Sequence, residues 1–406
     1  MKFAALFNSK AKLWVDGRKG LLKRIKQEVN LNEQLAWFHC ASLGEFEQGR
    51  PVIEEFKERY KDFKIVLTFF SPSGYEIRKN YEYADYIYYL PLDTPQNAKQ
   101  FLNAINPSSV FFVKYEFWPF LIREIGKREI PLYLISGIFR KDQRFFKWYG
   151  SQGRKTLKSF KHFFVQNTES KELLESINLD SITISGDTRF DRVFSIAQNA
   201  KKIPVIEKYI NGKTTLVAGS TWKPDEEILI HYFNENPAKF KLIIAPHEIH
   251  SENINRIINS FNSDLTILLF SESNENNVLD ADVLIINCIG LLSSLYKYAS
   301  IAYIGGGFGK GIHNTLEAAT FGLPIIFGPN YLKFQEAVDL VNQQSAYSIT
   351  SFVEFEQNLN TLLESNTLLK QKGELSAKYV NQKCGATNSI LNSTDIDFSE
   401  PKSFKN

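Results

Sequence analysis

Residues 301–330 constrain the fold of this chain more than any other stretch of its sequence. The apolar run Ile301–Ile304 has the composition of a buried parallel strand. Residues 313–319 then predict the first turns of a helix, with Asn314 as a candidate N-cap and residues 322–324, Gly-Leu-Pro, as its end. Between strand and helix lie five glycines within seven residues, which let a backbone pass close to a ligand and adopt positive φ: Gly305, Gly306, Gly307, Gly309 and Gly311.

A glycine loop between a strand and a helix start is a candidate anion site. Free backbone N–H groups and the helix dipole are both expected to face such a loop. Glu317, one turn into the predicted helix, is a candidate acceptor of hydrogen bonds from a ribose diol. The alternative is an ordinary tight connection in a parallel sheet, because the spacing of a P-loop or of GxGxxG is missing. The loop, the His-Asn pair, Glu317 and the Gly-Leu-Pro end together favour a nucleotide-sugar site.

Length and composition limit the class of protein. A chain of 406 residues with 43% hydrophobic content is long enough for two domains, and a net charge of +3 is too small to indicate a nucleic-acid partner. Cys40, Cys288 and Cys384 are odd in number and lack CxxC spacing, which favours a reducing compartment and argues against structural zinc. The sequence contains no run of 18 apolar residues, so no transmembrane helix is predicted and a cytoplasmic protein is expected.

The first 30 residues are strongly basic. Eight lysines and arginines stand there against only Asp16 and Glu28. Six apolar side chains are interleaved with them: Phe3, Leu6, Phe7, Leu13, Trp14 and Val15. This composition suits an anionic membrane surface, and the alternative is a solvated basic helix that packs on the first domain.

A second strand–turn–helix pattern lies near residue 42. The apolar residues 35–41 predict a strand, and Ser42-Leu43-Gly44-Glu45 forms the turn before a helix. Ligands in open α/β sheets bind at the carboxyl ends of strands. Glu45 is therefore a candidate general base, kept ionised by helix N-terminal N–H groups. The alternative is a helix N-terminal charge worth only ~0.3–1 kcal/mol.

Other polar residues follow the next predicted strands. Ser71 and Ser73 suit a phosphate or the cap of the following helix. Glu116 follows residues 109–114, and Pro119 fits the first turn of the next helix. Arg140 opens a basic and aromatic segment, residues 140–149, which suits a phosphorylated, lipid-bearing acceptor or a solvated amphipathic helix.

The second half of the chain repeats the alternation of strands and helices. Residues 214–218 predict a strand with Gly219-Ser220-Thr221 as its turn, and residues 347–349 a last short strand. His247 and His250 lack the carboxylate pattern of a metal site and are interpreted as ligand-facing or capping residues.

Two doubly wound Rossmann-like domains facing a cleft are expected. The predicted segments are a basic membrane-proximal segment (1–30), an N-terminal acceptor-binding domain (31–198), a C-terminal nucleotide-sugar domain (199–375), and a C-terminal helix with a frayed tail (376–406).

Taken in order and spacing, these motifs resemble those of the 3-deoxy-D-manno-octulosonic acid (Kdo) transferases. These are lipopolysaccharide-assembly glycosyltransferases of the GT-B fold. The resemblance extends over residues 37–341 and is carried by seven elements: ASLGE at 41–45, SPSG at 71–74, EFWP at 116–119, GDTRFD at 186–191, AGST at 218–221, the glycine segment at 305–319, and FGP at 327–329.

The resemblance implies an inverting, metal-independent transfer of Kdo from CMP-Kdo to the glucosamine disaccharide of a lipid A precursor. It implies Glu45 as the general base, no cofactor, no nucleic-acid partner, and a place at the cytoplasmic face of the inner membrane, peripheral or N-terminally anchored. The donor-binding residues implied are Gly219, Ser220, Thr221, His247, Gly305, Gly306, Gly307, Gly311, His313, Asn314 and Glu317. The acceptor-binding residues are Ser42, Gly44, Ser71, Ser73, Glu116 and Arg140.

Three departures from the family pattern bear on function. Lys114 stands where the family often has an acidic residue, so acceptor recognition is expected to differ. Residues 246–251 lack the arginine of the family's PRHPER segment, and His247 is its candidate replacement. The usual hydrophobic anchor is reduced to residues 1–7, so either the natural start lies further upstream or the basic segment alone docks.

The alternative functions are a UDP-sugar transferase or 2-epimerase of the same fold, and a catalytically idle nucleotide-sugar-binding scaffold at the membrane.

Overall fold

The computed structural model describes residues 7–237 and 239–394. Two compact units make up the chain: unit 1 is Met1–Arg192 with Lys383–Asn406, and unit 2 is Val193–Gln382. Each unit contains one parallel sheet of seven strands covered by helices. The division into four segments made from the sequence stays a prediction, and the part of the expected frayed tail after residue 394 lies outside the described residues.

The sheet of unit 1 has the strand order β3-β2-β1-β4-β5-β6-β7. All of its strands pair in parallel, and β1 is buried at every position, which explains its nearly continuous apolar sequence. The strands are β1 Leu35–Cys40, β2 Lys64–Phe69, β3 Tyr86–Tyr89, β4 Ser109–Val113, β5 Leu132–Gly137, β6 His162–Val165 and β7 Ile182–Ile184.

Helices cover both faces of this sheet. Trp37 and Phe38, neighbours on β1, belong to two different buried clusters, one on each side. Pro119 opens α6, as expected from its position. The helices are α1 Ser9–Asp16, α2 Leu21–Glu28, α3 Leu43–Arg59, α4 Pro72–Arg78, α5 Pro95–Ile105, α6 Pro119–Lys127, α7 Ser151–Leu157 and α8 Thr168–Glu175, and α9 Arg189–Gln198 begins in unit 1 and ends in unit 2.

Part of the basic N-terminal segment packs on unit 1. Leu21 and Ile25 of α2 are buried in its core. The Arg18 guanidinium donates to the carbonyl oxygens of Leu90 and Phe70, each at 2.9 Å, and burial lowers its pKa to about 10. This agrees with the alternative of a basic segment that packs on the domain. Residues 1–6, which include Phe3 and Leu6, lie outside the described residues.

The sheet of unit 2 has the order β10-β11-β9-β8-β12-β13-β14 and is also parallel. Its strands are β8 Thr215–Thr221, β9 Lys241–Pro246, β10 Ile267–Leu269, β11 Val283–Ile285, β12 Ile301–Ile304, β13 Ile325–Phe327 and β14 Ala346–Ser348. Its helices are α10 Pro204–Ile210, α11 Lys223–Glu235, α12 Ser251–Asn259, α13 Leu292–Leu295, α14 Leu316–Ala319, α15 Gln335–Asn342, α16 Phe352–Leu363 and α17 Asn366–Lys383.

The last helix of the described chain, α18 (Ala386–Asn392), returns to unit 1. The Asp191 carboxylate accepts from the backbone N–H of Gly385 at 2.5 Å and of Thr387 at 2.6 Å. Ile390 and Leu391 then enter the same buried cluster as Phe38. Unit 1 is therefore built from two separated stretches of sequence.

Candidate active site

Two glutamates meet where the strand order of unit 1 changes direction. Strands β1 and β4 are neighbours, and the chain continues from them toward opposite edges of the sheet. Glu45 follows β1 and Glu116 follows β4, and the charge of Glu45 acts on the pKa of Glu116. Ligands of doubly wound sheets bind at such a switch point. The order of the strands thus brings together two residues that the sequence had indicated separately.

A capping box holds Glu45 in place. The Ser42 N–H donates to Glu45 Oε2 at 3.2 Å, and the Glu45 N–H donates to Ser42 Oγ at 3.5 Å. Glu45 is only 6% exposed. Gly44 is exposed, and a Cβ added there would meet only Ser42 Oγ at 4.0 Å, so space is open beside the carboxylate. Glu45 therefore has the helix N-terminal role of the alternative interpretation and also borders open space.

The pKa of both carboxyl groups is raised. Burial is the main cause that raises the pKa of Glu45, opposed by the N–H groups of Ala41 and Ser42 and by Lys114. Burial, and next the charge of Glu45, raise the pKa of Glu116 to about 8. Glu116 has the more strongly raised pKa, so Glu45 is the member of the pair that ionises at the lower pH. A buried carboxylate of raised pKa can take up a proton from a substrate hydroxyl.

Basic side chains surround this pair. Lys114, with a φ of 72°, interacts electrostatically with Glu45, and burial lowers the pKa of its amino group. Arg189 and Arg140 interact with Lys114, while the Arg189 guanidinium also donates to Asp187 at 2.8 Å. The positive charges of Lys114, Arg140 and Arg189 near the carboxyl pair suit an anionic substrate.

Ser71 and Ser73 lie in the turn after β2, beside the turn of Ser42. The Ser71 N–H donates to the Ala41 carbonyl oxygen at 2.7 Å, which joins the two turns. Ser71 Oγ accepts from the Ser73 N–H at 3.2 Å and thereby caps α4, which is the capping role that was one of the two predictions for these serines. Both serines remain partly accessible at the carboxyl end of the sheet.

The basic and aromatic segment after β5 is not the amphipathic helix that one interpretation expected. Its only helical turn is the short 3-10 helix Arg144–Phe146. Arg154 donates to the carbonyl oxygens of Phe145 and Lys147, at 3.0 and 2.9 Å, and these bonds hold the segment as a loop. Arg140 is exposed, and Trp148 is 91% exposed.

Sequence reasoning missed His39, which lies on β1 and is completely buried. Its Nδ1 lies 2.9 Å from Thr68 Oγ1, and its Nε2 accepts the indole N–H of Trp118 at 3.0 Å. His39 Nε2 is also 3.9 Å from Glu116 Oε2. The available signal was one polar residue in an otherwise apolar strand.

In unit 2 the strand order changes direction between β8 and β12, and the glycine loop lies there. A Cβ on Gly305 would lie 2.3 Å from the Ser220 carbonyl oxygen, and one on Gly307 would lie 2.6 Å from Gly328 Cα. The φ angles of Gly306 and Gly311 are 89° and 138°, as their residue type predicts. At Gly305 and Gly307 the close approach is to other backbone of the same unit.

The expected cradle of free N–H groups is not formed by four of the loop glycines. The N–H groups of Gly309 and Gly311 donate to the Gly306 carbonyl oxygen, at 3.0 and 3.2 Å. The Gly305 N–H donates to the Gly219 carbonyl oxygen at 2.9 Å, and the Gly306 N–H donates to Asp225 Oδ2 at 2.8 Å. Internal hydrogen bonds thus define the shape of the loop.

The helix after the loop is shorter than expected. It begins at Leu316 and ends at Ala319, because the His313 N–H donates to the Gly305 carbonyl oxygen and keeps that residue in the loop. The N-cap is Thr315 and not Asn314 as expected, because the helix begins later; Asn314 Oδ1 still accepts from the Leu316 N–H at 3.0 Å. Its Nδ2 donates to Glu317 Oε1 at 3.1 Å.

Asp225 is the residue that fixes the glycine loop, and sequence reasoning did not single it out. It is fully buried in the first turn of α11. Besides the Gly306 N–H, it accepts the Tyr303 hydroxyl at 2.8 Å and the Trp222 N–H at 2.9 Å. Burial raises the pKa of its carboxyl, and these three donors oppose that shift.

Three aromatic rings stack at the same edge of the sheet. The His247 ring stacks on both Trp222, with centroids 4.5 Å apart, and His313, at 4.8 Å. The Trp222 indole N–H donates to His313 Nε2 at 3.1 Å, so the proton of neutral His313 is on Nδ1. Burial, and next His247, lower the pKa of His313. His247 is exposed, and His250 caps α12 by accepting from the Asn253 N–H at 3.2 Å.

The remaining predicted donor residues lie beside this stack. Thr221 is buried, and its Oγ1 donates to Glu226 Oε1 at 3.0 Å, while Ser220 has a φ of 53°. A Cβ on Gly219 would lie 2.2 Å from the Tyr296 hydroxyl oxygen, which explains the need for glycine there. In residues 7–237 and 239–394, no group of three or more His, Cys, Asp or Glu side chains is placed to hold a metal ion.

Similar solved structures show the fold. UDP-GlcNAc 2-epimerase from Neisseria meningitidis, bound to UDP-GlcNAc, superposes with a TM-score of 0.60 at 16% identity, over 89% of this chain and 98% of the other. MurG from Acinetobacter baumannii superposes with a TM-score of 0.53 at 11% identity, over 88% and 98%. With its two parallel sheets, the chain has the GT-B fold, as the sequence predicted.

Sequence comparison identifies similar proteins. Residues 15–192 match the family described as 3-deoxy-D-manno-octulosonic-acid transferase (kdotransferase). Proteins named 3-deoxy-D-manno-octulosonic acid transferase from Rickettsia felis and Aquifex aeolicus are 27% and 28% identical, over 91% and 86% of this chain and 81% and 92% of theirs. The Haemophilus influenzae protein of that name is 24% identical over 87% of this chain and 85% of its own. The resemblance to the Kdo transferases is confirmed, and the chain is a glycosyltransferase related to them.

Proposed function

We propose that this protein transfers Kdo from CMP-Kdo to a lipid A precursor of the lipid IVA type, with inversion at the anomeric carbon. The observation that carries the proposal is the buried Glu45 carboxyl, which lies with Glu116 at the switch point of unit 1. Relatives named Kdo transferases support the choice of sugar.

In this mechanism Glu45 is the general base. Its carboxylate takes the proton of the acceptor hydroxyl while the hydroxyl oxygen forms a bond to the Kdo anomeric carbon. The bond between that carbon and the phosphate oxygen breaks, and CMP leaves with the electron pair. Attack in line with the leaving phosphate accounts for inversion. Ser42, Gly44, Ser71, Ser73 and Glu116 line the acceptor side.

The basic residues near the carboxyl pair provide the charge recognition. Kdo carries a carboxylate, and a lipid A precursor carries phosphates. Lys114 interacts with Glu45, and Arg140 and Arg189 interact with Lys114. We assign Arg140 to the acceptor phosphate, since it is exposed at the edge of this cluster. Lys114, at a position often acidic in the family, adds an attraction for anions beside the base.

The donor nucleotide is assigned to the carboxyl edge of the unit 2 sheet. Glu317 accepts hydrogen bonds from the ribose hydroxyls, and the exposed His247 ring meets the phosphate in place of the family's arginine. The sites assigned to the donor, which share this edge, are Gly219, Ser220, Thr221, Gly305, Gly306, Gly307, Gly311, His313 and Asn314. No step of this mechanism uses a metal ion.

The acceptor is expected to stay in the bilayer, so the protein is assigned to the cytoplasmic face of the inner membrane. Among the described residues, no helix is long and apolar enough to cross a membrane. Phe7 and Leu13 are 82% and 42% exposed, and Lys10, Lys12 and Lys19 are exposed beside them. Basic and apolar side chains together support peripheral attachment.

The experiment combines purified protein, CMP-Kdo and a tetra-acylated lipid A precursor, with products identified by mass spectrometry and UDP-sugars as parallel donors. Glu45→Gln is expected to lower turnover by ~10²–10⁴-fold, the usual effect of losing a positioned general base. Glu58→Gln on the exposed side of α3 is the matched control and should retain activity. Near-parental turnover in Glu45→Gln would remove Glu45 from the mechanism. Transfer from a UDP-sugar and not from CMP-Kdo would replace the proposed donor.

A further inference from the structure

Tyr296 is a buried residue of unit 2 whose hydroxyl group has no hydrogen-bond partner among residues 7–237 and 239–394. It opens the 3-10 turn Tyr296–Tyr298 before β12 and is 2% exposed. The other buried tyrosines of unit 2 in the described chain all use their hydroxyl groups in hydrogen bonds: Tyr209, Tyr232, Tyr298, Tyr303 and Tyr379. Tyr296 differs from all of them in this respect.

A buried tyrosine hydroxyl is normally paired, because removing it from water without a partner costs free energy. A polar group of a bound ligand, or a water molecule, supplies the partner where the protein itself does not. The Tyr296 hydroxyl thus marks a place in unit 2 where such a group is expected.

The hydroxyl oxygen lies at the donor edge of the unit 2 sheet, against Gly219. A Cβ on Gly219 would collide with this oxygen and would lie 2.8 Å from Leu292 Cδ1. Gly219 pairs with Ile304, the last residue of β12, and its carbonyl oxygen accepts the N–H of Gly305, where the glycine loop begins. Because glycine has no side chain, the Tyr296 hydroxyl reaches the carboxyl end of β8, at the place assigned to the donor nucleotide.

Glu317, which is assigned to the ribose, acts on this hydroxyl by its charge. Burial, and next the charge of Glu317, raise the pKa of the Tyr296 hydroxyl. The phenol therefore keeps its proton at neutral pH and can donate it in a hydrogen bond. Glu317 is half-buried, and its Oε1 accepts from Asn314 Nδ2 at 3.1 Å, which holds the carboxylate in place.

We propose that the Tyr296 hydroxyl donates to a ribose hydroxyl of the donor nucleotide and thereby makes the protein prefer ribonucleotides to deoxyribonucleotides. This inference rests on the proposed function, in which Glu317 accepts from the ribose diol. A ribose hydroxyl has one hydrogen and two acceptor lone pairs. When its hydrogen goes to Glu317, its oxygen can be paired only by a donor, and a carboxylate has no hydrogen to give. The neutral phenol of Tyr296 supplies one.

The two contacts predict which ligands the site rejects. A site built to hydrogen-bond a hydroxyl group rejects analogues that lack it, because its own polar groups are then left unpaired. Removing that hydroxyl from the nucleotide takes away the partner of Tyr296 and one donor to Glu317 together. CMP without its 2′-hydroxyl or without its 3′-hydroxyl, whichever meets Tyr296, is therefore expected to bind at least about tenfold more weakly than CMP.

The experiment measures binding by calorimetry for CMP, 2′-deoxy-CMP and 3′-deoxy-CMP, on the parent chain and on Tyr296→Phe. The variant loses one hydrogen bond from a neutral donor, so CMP should bind about three- to tenfold more weakly. One deoxy nucleotide should bind the variant and the parent equally, within about twofold, since the contact is then missing from both complexes. The other deoxy nucleotide should be weakened by the substitution as CMP is.

Tyr298→Phe is the matched control on the same turn. The Tyr298 hydroxyl accepts the Ile203 N–H at 2.6 Å, which is a bond within the protein. Its loss should lower the melting temperature of the nucleotide-free protein and leave CMP binding unchanged. Tyr296→Phe should do the reverse, because its hydroxyl bonds to none of the described residues: the melting temperature stays and CMP binding weakens. A merely structural role for Tyr296 would lower the melting temperature in this variant too.

Weaker CMP binding at an unchanged melting temperature, with the loss absent for one deoxy nucleotide, supports the proposal. Unchanged CMP binding in Tyr296→Phe would overturn it and leave a water molecule as the partner. Equal weakening of all three nucleotides would overturn the ribose contact in favour of the phosphate or the base. If Tyr296→Phe does not fold, the parent decides: a selective loss with one deoxy nucleotide supports the contact, and equal binding of all three contradicts it.

The failure of the proposed function is distinguishable from the failure of this inference. A parent that binds UMP in place of CMP, or transfers no Kdo, refutes the proposed donor. The same comparison with UMP and its two deoxy forms then tests the ribose contact, since UMP has the same ribose. A parent that binds neither nucleotide would overturn both proposals.

Discussion

Replacing Asp225 tests how the glycine loop of unit 2 is held. Its carboxylate accepts from three donors: Gly306 N–H and Tyr303 hydroxyl at 2.8 Å, and Trp222 N–H at 2.9 Å. Asp225→Ala leaves these donors unpaired in a site where Asp225 itself is 0% exposed. Each lost bond costs about 1–2 kcal/mol, so a loss of about 3–6 kcal/mol of unfolding free energy is expected.

Asp225→Asn is the matched control. Both backbone N–H groups donate to Oδ2, which the amide oxygen replaces, while the Tyr303 hydroxyl can rotate to accept from the amide nitrogen. The loss should therefore be below about 2 kcal/mol. Tyr303→Phe removes one of the three bonds and should fall between the two.

Urea unfolding followed by circular dichroism, with CMP affinity measured by calorimetry, provides the assay. At about 2–4 °C per kcal/mol for a unit of this size, Asp225→Ala should also lower the melting temperature by roughly 6–24 °C. CMP affinity should fall with it, because the loop loses the bond at Gly306. Equal stability of the Ala and Asn variants, or a loss below about 1 kcal/mol in Asp225→Ala, would refute the assignment of Asp225 as the residue that holds the loop.

Three further outcomes follow from the proposed site. Glu317→Gln should raise the KM for CMP-Kdo and weaken CMP binding, since charge-assisted hydrogen bonds to a ribose contribute ~1.5–3 kcal/mol; unchanged CMP affinity in calorimetry would leave Glu317 as a helix-start charge. Transfer should be unaffected by EDTA, and activity that is lost in EDTA and restored by Mg²⁺ would contradict a metal-independent mechanism. The protein should sediment with anionic liposomes at low salt and be released at high salt, while a variant starting at Asn30 should not bind; attachment to neutral vesicles that resists salt, or attachment unaffected by the truncation, would exclude electrostatic docking.

Sequence patterns predicted what depends on neighbours along the chain. The strands at residues 35–41 and 301–304, the positive φ of Gly306 and Gly311, and the turn of Glu45 all follow from local composition. The last short strand, expected at residues 347–349, is β14, Ala346–Ser348. These features need only periodicity, residue size and backbone preference.

Contacts between distant residues could not be predicted in this way. Glu45 meets Glu116 only because β1 and β4 are neighbours, which the order of strands decides. From the sequence, Asp225 is an acidic residue in the first turn of a helix, which is a common position for such residues. Its hydrogen bond with Gly306 joins residues 81 positions apart. The same holds for His39 and Trp118, separated by 79 positions.

The return of α18 to unit 1 has a consequence for biosynthesis. Ile390 and Leu391, which share a buried cluster with Phe38, leave the ribosome after every residue of unit 2. Until then Phe38 and its neighbours lack part of their apolar cover, and Asp191 lacks the N–H groups of Gly385 and Thr387. Unit 1 therefore cannot complete its core until α18 has been synthesised. Every residue of unit 2 is available before that point, so unit 2 can fold before unit 1 is complete.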